Sequence, residues 1–560
     1  LGVSGPDTPG PDTPRPLAPG VRGADVPDVL GALVDKSLVV AAPAPGGGMR
    51  YRLLETIHEY AAERAAEAPA VRAAAERAHI AYFTGLAEQA DPLLRSGQQL
   101  PWIRRLETEL DNIRAALHRS VAGRDEESAL RLVLAMSWFW WLRNYRTEGL
   151  AWTEHALALG PDETGPADPL YWPRMQSQVM WLFFTSESGQ TEQVRTDPLF
   201  RGRIRRMLEV FARPGPQSAR LPGLLWCMLA FFSEETVDIR AAMDDAIANC
   251  RVHGGDWEVG VMVMGRAHMS VDLSGGMTGV DEDLAELREL TRRVGDRWML
   301  AQVASATGEA RMARGRYEEA RDAYEEALRF AREVGAHAEA PFLLARLAEL
   351  AYRAGDADAA AKGLDAASAD AERYDVQDTR AFVHFMRAVL ALDRGEYEQA
   401  RALLDTARAA GEYGTPPPHF TIGIDALDAR IAMHEEKGPV AAARSLAAVL
   451  RAAKESRLSD LFVAQIAEMA VPVLVLAGEP GLAVRLLSAA GTWRSGSVRS
   501  VPERAEAERT EAHARAVLGA RGYEAERAAG LSLTLEQAAA VLDLPGRPDL
   551  PDRPAEQSAR

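Results

Sequence analysis

The stretches ARGRYEEA (Ala313–Ala320), RAGDADAA (Arg353–Ala360) and DRGEYEQA (Asp393–Ala400) each carry a glycine at the third position, and Gly315, Gly355 and Gly395 lie 40 residues apart. Gly438 follows 43 residues later and Gly478 a further 40. A repeat of this length marks a helical solenoid. Each glycine reads as a turn between two antiparallel helices, because glycine takes the left-handed C-cap conformation without a Cβ penalty. Residue sizes recur around it. Seven positions before the glycine stands a small residue (Gly308, Ala348, Ala388), and five after it always alanine (Ala320, Ala360, Ala400, Ala443, Ala483). Nine after it is large (Tyr324, Leu364, Leu404, Leu487), and twelve after it again alanine (Ala327, Ala367, Ala407, Ala490). Small residues let paired helices approach, and the large one fills the space between them. The fourth repeat departs, with Ile431, Ala447 and Leu450 at three of these positions, which leaves its register open.

Outward from the array, the chain is helical in pattern with one exception. Val29, Leu30, Leu33 and Val34 have helical spacing, Ser37–Val40 reads as a short strand, AAPAPGGG as a turn, Met49–Leu53 as a second strand, and Leu54 to Ala66 as a helix again. That order is what a small winged-helix module leaves in sequence. The resulting expectation is an all-α protein: a disordered Pro/Gly-rich linker (1–24), a winged-helix-like module (25–66), a helical connector (67–160), irregular helical repeats (161–295), the regular array (296–495), a helical cap (496–545) and a disordered polar tail (546–560). The segment Trp138-Phe139-Trp140-Trp141 fits either an exposed anchor for a partner or helix-packing core, and the dominance of large aromatics in cores favours the second.

Composition narrows function. A formal charge of −17 argues against wrapping nucleic acid over much of the surface, which needs clustered cations. Two cysteines, Cys227 and Cys250, make neither a disulfide framework nor a four-ligand zinc site, and a cytoplasmic setting is expected. The N-terminus LGVSGPDTPGPDTPRP has no apolar segment of a signal peptide, and no apolar run is long enough to span a membrane. Only four of the 64 Lys and Arg residues are Lys, as in a GC-rich bacterial genome, and the first residue is Leu1, as in a piece of a longer chain. No Gly-Lys pair occurs, so there is no P-loop. His58-Glu59 and His434-Glu435 lack the second histidine of a zinc helix, having Ala62 and Gly438 there. Asp281-Glu282-Asp283 lacks the turn and distal glutamate of a calcium loop. The expectation is a chain without catalysis, cofactor or metal.

Within each repeat the spacing resembles the tetratricopeptide (TPR) consensus, although 40 residues exceed the roughly 34 of a standard TPR. In a TPR superhelix the first helix of each pair lines the concave groove. Counted from the glycine turns, the groove positions here include Met312, Phe342, Glu349, Tyr352, Arg353, Phe382 and Phe385. Aromatics with one Arg and one Glu suit a peptide or a small ligand, and the same aromatics suit packing against the next repeat.

LVDKSLVV (Leu33–Val40) followed by RYRLLETIHEYAAER (Arg50–Arg64) resembles the winged-helix segment that ends the ATPase module of bacterial signalling ATPases. The family is that of the Streptomyces antibiotic regulatory proteins (SARP, AfsR-like, with a BTAD domain) and the related LuxR-type ATPase regulators. HIAYFTGLAEQADPLL (His79–Leu94), WIRRLETELDNIRAAL (Trp102–Leu117), FWWLRNYRTEGLAWTEHALAL (Phe139–Leu159) and VGDRWMLA (Val294–Ala301) are similar to the region leading into that family's TPR sensor. Arg143-Asn144 stands where the family has an Arg-Gly turn. The resemblance implies the back half of a transcriptional regulator, a winged-helix hinge carrying a TPR sensor. Such a sensor binds an effector or a protein partner, the partner being a peptide or a separate ATPase or DNA-binding chain. The family's DNA-binding domain, P-loop ATPase and C-terminal helix-turn-helix have no counterpart in this sequence. A stand-alone TPR adaptor is the alternative. Direct DNA binding through residues 25–66 has little behind it, because Asp35, Glu55 and Glu59 offset Lys36, Arg50, Arg52 and Arg64.

Overall fold

The computed structural model describes residues 23–43, 48–161, 164–187, 197–229, 239–273, 277–413 and 416–544. The linker expected over 1–24, except residues 23 and 24, and the tail expected over 546–560 lie outside the described residues. The first elements are α1 (Val26–Asp35), β1 (Val39–Pro43), β2 (Met49–Leu53) and α2 (Glu55–Ala66). β1 and β2 pair antiparallel, with Val39 opposite Leu53 and Pro43 opposite Met49, and form the one sheet among the described residues. Neither α1 nor α2 buries a residue completely.

Among the described residues ten α-helices follow before the regular array: α3 (Pro69–Leu93), α4 (Gln99–Ala122), α5 (Glu126–Leu142), α6 (Arg146–Leu157), α7 (Tyr171–Glu187), α8 (Pro198–Phe211), α9 (Trp226–Leu229), α10 (Ile239–His253), α11 (Asp256–Asp272) and α12 (Val280–Val294). The tryptophan segment on α5 is core. Phe139 and Trp140 are wholly buried, and Trp138 stacks on Trp141 at 4.9 Å with Trp257 and Trp298 edge-on at 5.1 and 4.9 Å. One continuous apolar core runs from Ile80 on α3 into the array as far as Leu350.

The array consists of paired helices: α13 (Arg297–Ala313) with α14 (Tyr317–Val334), α15 (Glu339–Arg353) with α16 (Ala357–Tyr374), α17 (Gln377–Asp393) with α18 (Tyr397–Glu412), α19 (Pro418–Ala432) with α20 (Gly438–Glu455), and α21 (Asp460–Leu476) with α22 (Pro480–Trp493). Each turn glycine is left-handed, with φ of 72° at Gly315, 90° at Gly355, 76° at Gly395, 69° at Gly438 and 81° at Gly478. After Gly315 the Arg316 N–H donates back to the Arg311 carbonyl at 2.9 Å, and the same closure recurs from Asp356 to Ala351, Glu396 to Ala391 and Glu479 to Leu474. The size pattern has its physical counterpart: a Cβ on Gly308 would lie 2.8 Å from the ring of Tyr324, which is wholly buried. The alanines five after each glycine are all wholly buried.

The fourth pair shows why its register was ambiguous. α19 stops at Ala432 and Gly438 opens α20, so a longer connection intervenes. Ile431, Ala447 and Leu450 are each wholly buried, with large and small reversed relative to Gly308 and Tyr324.

Long-range ties bend the chain into a closed form. The Ser459 N–H donates to the Asp272 carbonyl at 2.8 Å beside a bridge between Leu273 and Leu458, joining the end of α11 to the start of α21. Arg143 donates to the carbonyls of Val334 and Gly335 at 3.0 and 2.8 Å, at the C-terminus of α14. Asn144 takes the left-handed turn with φ of 61°, which asparagine tolerates, and its amide donates to Tyr374 O at 2.9 Å. The last helices are α23 (Val501–Gly530), broken at Gly519, and α24 (Leu535–Leu542).

Candidate ligand cavity

The first helix of every pair faces inward, and together these helices line a cavity of about 1050 Å³. Small-molecule sites usually measure roughly 300–1,000 Å³. The wall comes from α11, α13, α15, α17, α19 and α21, with Trp141, Arg146 and Glu187 added from α5, α6 and α7, whereas the second helices contribute little beyond Tyr317 and Leu487. The start of α23 completes it through Pro502, Glu503, Glu506 and Arg509. α23 is held there by Val498 and Val501, which pack on the turns at Gly315 and Gly355.

All seven groove positions counted from the glycines line this cavity: Met312, Phe342, Glu349, Tyr352, Arg353, Phe382 and Phe385. Met312 and Glu349 are buried, Phe342 is exposed to the lumen, and the rest are half-buried. Phe382 and Phe385 also pack on the cores of neighbouring pairs, so each serves both the wall and the fold. Phe420 on α19 joins them, giving a run of rings from Phe342 to Phe382 (6.1 Å), Phe382 to Phe385 (6.5 Å) and Phe385 to Phe420 (5.6 Å).

Charged groups stand at three levels. Near the starts of the inner helices, Glu339 accepts from Trp298 Nε1 at 2.5 Å and from Gln302, while burial pushes its carboxyl up to about 7. Glu187 pairs with Arg146 at 3.0 Å, and burial raises its carboxyl too. At mid-height His268 Nδ1 meets Glu309 at 2.8 Å, and His419 lies 3.6 Å from Asp272. Burial lifts the Asp272 carboxyl above its ordinary range, with His419 opposing. Toward the ends of the helices Glu349 sits between Arg346 (2.6 Å) and Arg353 (2.8 Å). Burial works to raise the Glu349 carboxyl, but the two guanidiniums outweigh it and hold it below the usual value. Tyr352 donates to Asp393 at 2.8 Å, and Arg494 bridges Glu468 and Glu503 at 2.5 and 3.0 Å.

Arg346, His268, Glu309, Phe420, Arg430 and Glu503 line the cavity without having been singled out in sequence. Arg346 carried a usable signal, four residues after Phe342 and three before Glu349 on one helix face. His268 and Glu503 lie outside the regular glycine register, and nothing local marks them. The two cysteines are buried and unbonded to each other as thiols, with burial pushing both up to about 12.

No family model matches the chain. Over 331 residues, 56% of its length, it is 30% identical to proteins of Mycobacterium tuberculosis and Mycobacterium bovis provisionally named HTH-type transcriptional regulators, and it spans 34% of their length. Among solved structures it is similar to a signal transduction ATPase with numerous domains and a tetratricopeptide repeat sensor from Pyrococcus horikoshii (TM-score 0.36, 11% identity, 73% of this chain and 55% of that one). It is also similar to yeast Tom70 (TM-score 0.31, 12% identity, 78% and 96%) and to a human IFIT1 dimer (TM-score 0.39, 12% identity, 78% and 94%).

Proposed function

We propose that this chain is the sensory portion of a bacterial transcriptional regulator of the AfsR-like or LuxR-type ATPase kind, binding its effector in the cavity and catalysing nothing. The observation that supports it most is the convergence of all seven groove positions on one cavity. The likeness to proteins named as regulators supports the regulatory setting. Residues 25–66 act as a winged-helix hinge that docks on a cytoplasmic ATPase or DNA-binding partner. The apolar side chains they leave exposed, among them Tyr51, Leu54 and Tyr60, support a protein contact there. The same exposure would also serve a stand-alone adaptor, which differs in having no need of a small ligand.

A melting experiment separates the two. Small-molecule extract from the native host should raise the melting temperature of the wild-type chain and leave unchanged that of the Phe382→Ala/Phe385→Ala variant, checked first for native helicity. Extract that shifts neither protein leaves the adaptor as the better account.

A further inference from the structure

The cavity holds six arginines: Arg146, Arg346, Arg353, Arg430, Arg494 and Arg509. Five of them have a carboxylate partner: Glu187 for Arg146, Glu349 for Arg346 and Arg353, Glu468 and Glu503 for Arg494, and Glu506 for Arg509. Arg430 has none within ion-pair distance among the described residues. Its Nη1 reaches the Met469 carbonyl at a long 3.4 Å, and its buried Nε has no acceptor. Two carboxylates face it beyond ion-pair distance: Asp393, which also accepts from Tyr352 at 2.8 Å, and Glu506, which pairs with Arg509 at 2.7 Å. A guanidinium in low dielectric whose counter-charges stand out of contact is incompletely compensated, and a bound anion in direct contact would lower that cost. Burial accordingly depresses the Arg430 guanidinium below its ordinary value, in spite of Glu506 and Asp393 nearby.

Arg430 belongs to a stripe. Phe420, Gly423, Leu427 and Arg430 fall three, four and three residues apart on α19 and all line the cavity. At 1.5 Å per residue the Cα atoms of Phe420 and Arg430 are about 15 Å apart along the helix. Gly423 leaves the helix bare between them, where an added Cβ would meet only Phe385, at 3.8 Å. One end of the stripe joins the Phe342–Phe382–Phe385 rings, and the other ends in a cation with no carboxylate in direct contact among the described residues.

We infer that the cavity takes an amphipathic organic anion, with an aromatic or otherwise apolar body against Phe382, Phe385 and Phe420 and a single carboxylate-like head on Arg430. This rests on the reading of the cavity as the binding site. The paired arginines are structural by comparison, since each already has a carboxylate in contact, with Glu349 shared by Arg346 and Arg353.

Two dyes that differ by one sulfonate provide the test: 1-anilinonaphthalene-8-sulfonate and its neutral parent N-phenyl-1-naphthylamine. Both are titrated by fluorescence against the full chain and its variants. The wild type should bind the sulfonate about tenfold more tightly than the neutral dye, the size of one charge-assisted contact. Arg430→Met should erase that preference and leave the neutral dye's affinity unchanged, while Phe382→Ala/Phe385→Ala should weaken both. If Arg430→Met fails to fold, Arg430→Lys decides: keeping the charge without the fork, it should retain part of the preference. Equal binding of the two dyes by wild type, or a preference indifferent to position 430, overturns the anion inference and leaves the cavity reading intact. Binding of neither dye at a site sensitive to Phe382 and Phe385 overturns both.

Discussion

Helices α2 and α14 both alternate apolar with charged residues, and they meet opposite fates. α14 buries Ala320, Tyr324, Ala327, Leu328, Ala331 and Val334. α2 buries nothing completely and leaves Tyr60 61% exposed. The hairpin beside α2 is equally open, with Met49, Tyr51 and Leu53 exposed and, among its described residues, Val39 alone buried. The difference lies in the partner. α14 has α13, whose Gly308 leaves a hollow shaped to the Tyr324 ring. No element among the described residues offers α2 such a face. An amphipathic stripe specifies that burial is wanted, and only a complementary surface supplies it.

The contrast can be broken most directly at Tyr324. Tyr324→Ala should lower the free energy of unfolding by about 3–5 kcal/mol in urea denaturation, as for other buried aromatics. A loss below about 1 kcal/mol would mean that inter-helix packing is not what separates the two regions. Next in size is overpacking: Ala400→Leu, at a wholly buried alanine, should cost about 1–3 kcal/mol.

A smaller effect concerns charge. Burial keeps Glu339 protonated up to about pH 7 in the folded chain, whereas the unfolded chain releases that proton near 4.5. The stability this group contributes is therefore fullest below about pH 4.5 and is lost as the pH rises through about 7. Glu339→Gln abolishes that loss, so the melting temperature of the variant relative to wild type should climb across this range. A difference independent of pH would show the carboxyl to be ionised throughout. Smallest of all, Tyr60→Ser should change stability by no more than about 0.5 kcal/mol, because the ring is mostly in water. Backbone amides of residues 25–66 should exchange faster than those of α13–α18.

The array was legible because glycine is the cheapest solution at a left-handed turn and recurs there. Gly315, Gly355, Gly395 and Gly478 all take positive φ, and counting from a fixed turn places Phe342 or Phe382 on a known face. The fourth repeat blurred because Ile431 and Ala447 exchange sizes and the connection after Ala432 is longer, and pattern matching does not register such compensation. His268, Asp272 and Glu503 were invisible for another reason. They reach the cavity through tertiary closure by α11 and α23, and no local periodicity encodes where a distant helix docks.

That closure changes how the array responds to force. In an open solenoid each repeat answers only to its neighbours, and a small rotation between two of them simply moves the free end. Here the carbonyl of Asp272 and the amide of Ser459 fasten one end to the other across four helix pairs, turning the spring into a hoop. A hoop has no free end to absorb a change of angle. Rotations of the same sign at successive pairs add up and emerge as a gap at the clasp, so a movement too small to see at any one interface becomes large at a single, identifiable place.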